Sequence, residues 1–514
     1  MDKYVLAVDC GTESIRAAVV DEHGTILGTG NCENKNIFSN SGWVEQSPVQ
    51  WKKSFITAIR KAISDSKVDG KKISAVSGDA TSPTLIALDK NGKEIMNAIM
   101  WMDIRAKKEA EKLSSIENEV LKYVGYGNIS PEWFPCKALW LKNNMNDVYK
   151  KAKYILDQPD WVNYFLTGNL TLNINSSTAR GFYNIYKGGF PEDYYRQAGI
   201  EDVLEKYSQS VYRPGEIVGE LSKRISDETG LREGIPVACA GADGYIGVFG
   251  VNALEEGRFA LITGSSQLII GLSKKEIHFK GMNGSFPDAL LKGYNVIEAG
   301  QTSTGSVIKW FCDNFINTEI IRKAEKNKTT VYEILDIMAD TVSPGSEGLV
   351  VLEHWQGNRT PWANPYSRGV IRGLSLSHTP AHIFRALLEG TAYGTAVILD
   401  RFDKQNVNIH ELVACGGATE SDVWMQICAD VTGRPITIPE ERQAVLLGSA
   451  ILAFVSNGHY SSINEAAESM VKVRKIIDPI ERNHEIYDEY VKQYEKTYET
   501  LKELSKNLIE TTYK

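Results

Sequence analysis

Asp9-Cys10-Gly11-Thr12-Glu13-Ser14-Ile15-Arg16 lies between two apolar runs, Val5-Leu6-Ala7-Val8 and Ala17-Ala18-Val19-Val20. Apolar runs that flank a short polar, glycine-containing segment read as two strands joined by a turn. The turn offers a glycine, backbone N–H groups, two hydroxyls, two carboxylates and one guanidinium. Gly11 lets a ligand approach the backbone closely, and consecutive turn amides can form an anion nest. A carboxylate beside such a nest suits a phosphate that arrives with Mg²⁺. Taken alone, the octapeptide fits an ordinary hairpin with a polar tip equally well, because short glycine turns carry little specificity.

The same arrangement returns in the second half. Arg258-Phe259-Ala260-Leu261-Ile262 leads into Thr263-Gly264-Ser265-Ser266 and then Gln267-Leu268-Ile269-Ile270. Two such turns, one heading each half, suggest two related domains that face one ligand. Apolar runs alternate with helical patterns throughout, which predicts an α/β chain. Ser47-Pro48 and Thr379-Pro380 each mark a helix start. Tyr487, Tyr490, Tyr494 and Tyr498 recur at helical spacing in the tail, as in a helix face packed on the body. No low-complexity linker separates the halves, and the joint is expected as a hinge near Gly247 to Asn252.

Length and composition set bounds on function. The 514 residues exceed what one hydrophobic core usually spans. The chain is 42% hydrophobic and 24% charged, average for a globular protein. A formal charge of −8 argues against nucleic acid or an anionic membrane as the main partner. Seven scattered cysteines with no Cys-x-x-Cys pair read as reduced thiols of a cytoplasmic enzyme. Neither a secretory leader nor a bilayer-length apolar run is visible.

Further polar patches end apolar runs. Ala240-Gly241-Ala242-Asp243-Gly244 follows Pro236-Val237-Ala238-Cys239. A carboxylate just past a buried strand end can be aimed into a cleft, where it can take a proton from a substrate hydroxyl; it can equally cap the next helix. In Trp101-Met102-Asp103-Ile104-Arg105, Asp103 is suited to accept sugar hydroxyls or to pair locally with Arg105. Gly416-Gly417-Ala418-Thr419 joins the run Leu412-Val413-Ala414-Cys415 to a helical pattern, a place where anionic or flat groups rest on backbone.

In this order the motifs resemble those of the FGGY carbohydrate kinases, of the actin and hexokinase superfamily. The likeness covers nearly the whole chain. Asp-x-Gly-Thr-x-Ser-x-Arg stands at 9–16, Gly42-Trp43-Val44-Glu45-Gln46 precedes the first helix, and Trp101-Met102-Asp103 looks like the family's sugar-contacting motif. Gly241-Ala242-Asp243 resembles its general-base motif. Gly369-Val370-Ile371-Arg372-Gly373-Leu374, followed by His382 to Glu389, fits its C-terminal signature, which reads as scaffold with no catalytic role for Glu389. The segment Ser130 to Pro135, ahead of Lys137-Ala138-Leu139-Trp140-Leu141, departs from the family's usual pattern in the sugar-pocket region.

The resemblance implies two RNase H-like α/β domains, 1–250 with the sugar pocket and base and 251–514 with the nucleotide, and an active site in the cleft between them. It implies ATP-dependent phosphorylation of a small sugar, first of all a ketopentose such as ribulose or xylulose. Hexuloses, polyols, quorum-signal molecules and a non-catalytic actin-like ATP switch remain as alternatives. Asp243 is the implied base, and Asp9 with Asp243 would hold Mg²⁺. Thr12, Ser14 and Arg16 would meet phosphates from one side, and Thr263, Gly264 and Ser265 from the other. Gly305 and Lys309 would border the nucleotide, with Gly417, Ala418 and Ser421 at its adenosine end. Thr81, Ser82, Asp103, Trp133, Lys137 and Asp243 are the implied sugar-binding residues. Homodimers are frequent in that family.

Overall fold

The computed structural model describes residues 3–127 and 129–512. The opening octapeptide is the predicted hairpin. Strand Tyr4–Cys10 runs antiparallel to Ser14–Asp21, with Asp9 opposite Arg16. These strands belong to a six-stranded sheet in the order Ile217–Glu220, Pro236–Ala238, Ile73–Ala80, Tyr4–Cys10, Ser14–Asp21, Ile26–Glu33. The second hairpin, Arg258–Thr263 and Gln267–Ser273, lies within a seven-stranded sheet. There Arg258–Thr263 also pairs in parallel with Glu411–Gly416. Each half thus carries an antiparallel hairpin joined to parallel strands, with helices on the faces, as alternating strand and helix patterns require.

Ligands of open α/β sheets gather beyond the carboxyl ends of parallel strands. In the first half three such ends converge. Tyr4–Cys10 and Ile73–Ala80 are parallel neighbours with Asp9 beside Asp79, and Pro236–Ala238 runs parallel to Ile73–Ala80. Their exits are stitched together: Thr81 N–H donates to the Cys10 carbonyl at 3.2 Å, and Ala80 N–H to the Gly241 carbonyl at 3.2 Å.

The joint between the halves is a packed helix pair. Helix Asp243–Gly250 lies against helix Ala444–Ser456, which also packs on strands Tyr4–Cys10 and Ile73–Ala80. Glycines permit this approach. A Cβ on Gly250 would stand 1.8 Å from the Ala444 carbonyl oxygen, and one on Gly448 2.1 Å from that of Ile246. The segment 247–252 is therefore helix end and turn pressed against a second helix.

The predicted helix starts are present as Pro48–Ser66 and Pro380–Asp403. Glu389 is fully buried and accepts hydrogen bonds from Gly345 N–H, Ser346 Oγ, Arg385 Nε and Tyr487 OH at 2.8–2.9 Å, a scaffold role. The tail is helix Glu481–Thr512, with Tyr487, Tyr494 and Tyr498 buried on the body. No helix among the described residues is long and apolar enough to cross a membrane.

Candidate active site

A group of carboxylates with one guanidinium stands at the converging strand ends. Asp9 is buried and ion-paired with Arg16, whose side chain stays 44% exposed at the turn. Asp79, on the next strand, is fully buried; Ser449 Oγ donates to its Oδ2 at 2.6 Å while Oδ1 has no hydrogen-bond partner among the described residues. Burial, reinforced by the charge of Asp9, holds the Asp79 carboxyl well above the usual range. Asp243 opens helix Asp243–Gly250 and accepts from Gly244 N–H at 2.7 Å. Burial and then the Asp9 charge push its carboxyl up to about 7, against the pull of Arg16 and Arg180. A partly enclosed carboxyl near neutrality is what general-base catalysis needs.

On the N-terminal side, Thr12 is held from behind. Its Oγ1 accepts from Trp101 Nε1 at 2.8 Å, and its carbonyl from Gln46 Nε2 at 2.6 Å. Gln46 in turn accepts from Trp51 Nε1 at 2.6 Å. The Gly42–Gln46 motif is thus the brace of the first turn. Ser14 is partly exposed beside it.

On the C-terminal side, Gly264 and Ser265 face solvent, whereas Thr263 is turned inward. Thr263 Oγ1 donates to the Cys415 carbonyl at 2.7 Å and accepts from Ala418 N–H at 3.2 Å. Gly305 starts helix Gly305–Phe315, its N–H donating to the Gly264 carbonyl at 3.1 Å. Gly417 is exposed and Ala418 buried, and Ser421 Oγ caps helix Asp422–Thr432 by accepting from Trp424 N–H at 3.1 Å. Thr263–Ser265, Gly305 and Gly417–Ala418 therefore form one cluster. Lys309 lies one turn along its helix, exposed and ion-paired with Asp313 at 2.9 Å.

Of the implied sugar residues, Thr81, Ser82, Asp103 and Lys137 already have protein partners for their polar groups. Asp103 is fully buried; Arg105 binds it through Nε and Nη2, and Val44 N–H donates to it at 2.6 Å. The Arg105 guanidinium lies 4.0 Å over the Trp43 ring. Lys137 Nζ is buried and donates to the carbonyls of Pro83, Met100 and Trp101 at 2.6–3.2 Å, and burial pulls it down to about 8. Thr81 Oγ1 donates to Gln158 Oε1 at 2.5 Å, and Ser82 Oγ to Asp157 Oδ2 at 2.5 Å. Trp133 is buried, its ring 5.6 Å from the Arg180 guanidinium.

Arg180 belongs to a cluster that sequence reasoning missed. It pairs at 3.0 Å with Glu298 from the other half of the chain, and Tyr245 OH donates to the same carboxylate at 2.8 Å. Both Arg180 and Tyr245 connect to Asp243, one through its field and the other as a neighbour two positions along the helix. No local motif marks Arg180 or Glu298. Asp79 did carry a signal: a carboxylate at the end of an apolar run, ahead of Ala80-Thr81-Ser82.

Comparison with known proteins agrees with this architecture. Residues 4–250 match the N-terminal domain model, and residues 259–457 the C-terminal domain model, of the FGGY family of carbohydrate kinases. The chain is 31% identical over 536 residues to a ribulokinase of Geobacillus thermodenitrificans, covering 97% of this chain and 94% of the relative. It is 29% identical over 540 residues to an FGGY carbohydrate kinase domain-containing protein of Homo sapiens, covering 98% and 97%. Its fold matches the crystal structure of xylulose kinase from Rhodospirillum rubrum with a TM-score of 0.87 at 23% identity, over 98% of this chain and 100% of that one. It also matches gluconate kinase from Lactobacillus acidophilus, with a TM-score of 0.86 at 22% identity over 97% and 98%. Matches to both domain models, and to a relative over nearly its whole length, place the chain in the FGGY family of carbohydrate kinases.

Proposed function

We propose that this carbohydrate kinase transfers the γ-phosphoryl group of ATP to a hydroxyl of a ketopentose of the ribulose or xylulose type. Asp243 carries the reading, as a carboxyl raised to near neutrality at the start of a helix, within the field of Asp9 and Arg16. It takes the proton of the acceptor hydroxyl as that oxygen bonds to the γ-phosphorus and ADP departs. Arg16 and Thr12 orient phosphate from one side, and the backbone of Gly264, Ser265 and Gly305 from the other. Gly417, Ala418 and Ser421 border the adenosine end. Little covalent chemistry is asked of the protein, so most of the rate comes from positioning and charge stabilisation.

The carboxylates of Asp9 and Asp243 fit Mg²⁺, which is bound by one or two carboxylates together with substrate phosphates and keeps several waters. When bound there, the ion would neutralise charge on the β- and γ-phosphates.

The ketopentose preference draws on the names of the ribulokinase relatives. Asp103 and Lys137 shape the sugar pocket from behind, since their polar atoms are committed to Arg105, Val44 and three carbonyls. Arg180, paired with Glu298, acts on Asp243 through its charge together with Asp9 and Arg16.

The test is ATP consumption by the purified chain over ribulose, xylulose, hexuloses, gluconate and polyols, with Asp243→Asn as control. Stimulation by a pentulose above the other acceptors is expected. A better hexulose or polyol would overturn the acceptor assignment, and ATP hydrolysis that no sugar stimulates would favour the nucleotide switch.

A further inference from the structure

Behind the two cleft-facing turns of the C-terminal half runs an unbroken chain of buried hydrogen bonds. Gln267 follows the Thr263–Ser266 turn and Gln301 precedes the Thr302–Gly305 turn; they are cross-strand partners, both almost fully buried. Gln267 Nε2 donates to Gln301 Oε1 at 2.8 Å and to Thr395 Oγ1 at 2.7 Å. Gln301 Nε2 donates to Glu353 Oε1 at 2.8 Å. The other oxygen of Glu353 accepts from Tyr494 OH at 2.8 Å, and Tyr494 belongs to the tail helix Glu481–Thr512. The turns at the far end are locked to each other: Thr304 N–H donates to the Ser265 carbonyl at 3.0 Å and Gly305 N–H to that of Gly264 at 3.1 Å.

The fold makes room for this chain. Gly394, in helix Pro380–Asp403, presents bare backbone to it; a Cβ there would stand 2.3 Å from Gln301 Nε2 and 2.5 Å from Glu353 Oε1. Glu353 is 2% exposed and has no Lys or Arg partner among the described residues. The nearest basic group, His354, lies 3.9 Å away, and burial pulls it down to about 3, so it is neutral. An apolar side chain at 353 would be the less costly filling for such a place. What a fully satisfied buried network supplies instead is fixed geometry.

We propose that Tyr494 and Glu353 are positioning residues for the nucleotide phosphates, and that the tail helix is thereby a working part of the phosphate clamp. The inference rests on the reading that the Thr263–Ser266 and Thr302–Gly305 turns receive those phosphates. Tyr494 acts through Glu353, Gln301 and Gln267, and touches no substrate.

The test uses the full chain. Tyr494→Phe keeps the buried ring and removes only the hydroxyl. Glu353→Met keeps the length of the side chain and removes both accepting oxygens, so neither Tyr494 nor Gln301 is served. Tyr498→Phe is the control: its hydroxyl, on the same helix, accepts from Asn364 Nδ2 at 3.1 Å and stands outside the chain. ADP affinity is read by calorimetry, and KM for ATP and for sugar by steady-state kinetics. Tyr494→Phe and Glu353→Met are expected to weaken ADP binding and raise KM for ATP by about tenfold, with KM for sugar unchanged. Their double variant is expected to be little worse than either alone, and Tyr498→Phe to match the wild type. Wild-type ADP affinity in Tyr494→Phe, or equal losses in Tyr498→Phe, would overturn the proposal. ADP that binds with no sugar ever phosphorylated would overturn the acceptor reading instead, and the ADP affinities would still decide this one.

Discussion

Ser449 and Asp79 come from opposite halves of the chain and meet in a buried hydrogen bond of 2.6 Å. The bond ties helix Ala444–Ser456 to the strand end beside Asp9. It also opposes burial, which drives the Asp79 carboxyl upward. Ser449→Ala leaves both Asp79 oxygens without a partner, which costs about 1–3 kcal/mol. A lower urea midpoint at unchanged m-value is the expected result. The pH dependence has a definite sign. Folded Asp79 keeps a proton that the unfolded chain releases above about pH 4, so its contribution to stability is present at low pH and lost as pH rises. Asp79→Asn removes that loss, and its stability relative to the wild type is expected to grow between pH 5 and pH 8, as read from thermal melts at about those two values.

Asp243 ties the rate to pH. Its carboxyl is pushed up to about 7, so the base is half ionised there in the free enzyme. kcat/KM for sugar is therefore expected to climb with pH through about 7 and level off above. Asp243→Asn should lose turnover by about 10²–10⁴-fold and keep ATP binding. A flat profile across neutrality, or near-normal phosphorylation by the variant, would remove Asp243 from the role of base.

The parts of the fold and site that were legible in the sequence are those written locally. The two hairpins are each encoded within about fifteen residues, by apolar runs around a glycine turn. Thr379-Pro380 and the tyrosine spacing of the tail are equally local, and both correspond to helices with the expected buried faces. Asp9, Asp243, Gly264 and Gly417 were visible because a turn after an apolar run is a short-range signal. The rest depended on which distant side chains meet. Arg180 finds Glu298 across 118 positions, and Ser449 finds Asp79 across 370. Asp103 and Lys137 show the converse limit. Their charges were plain, yet a sequence does not say whether a buried charge is answered by a ligand or by Arg105 and the carbonyls of Pro83, Met100 and Trp101.

Lys137 separates a structural brace from a direct sugar contact. Its ammonium group satisfies three carbonyls that frame the turns after Ser82 and Met100. Lys137→Met keeps the stem and strands the Pro83 and Trp101 carbonyls, while that of Met100 still accepts from Asp103 N–H at 3.0 Å. A loss of about 3 kcal/mol or more in ligand-free unfolding is expected, together with a raised KM for sugar. Unchanged ligand-free stability with impaired sugar binding would show instead that the ammonium group serves the substrate.

Arg180 and Glu298 control Asp243 through charge, and the two substitutions at this pair have opposite signs. Arg180 pulls the Asp243 carboxyl downward, and Glu298 partly neutralises Arg180 at 3.0 Å. Arg180→Met removes the pull, so the acid limb of kcat/KM should move to higher pH. Glu298→Gln frees the positive charge, so the limb should move to lower pH. Each shift is expected at about one pH unit or less, since the groups act through space and Arg180 is the smallest of the named influences on Asp243. A pair that served only to hold the two halves together would change stability and KM and leave the limb where it is. Opposed displacements in the two variants are therefore the signature of a field acting on Asp243, and an unmoved limb in both would assign the pair to packing alone.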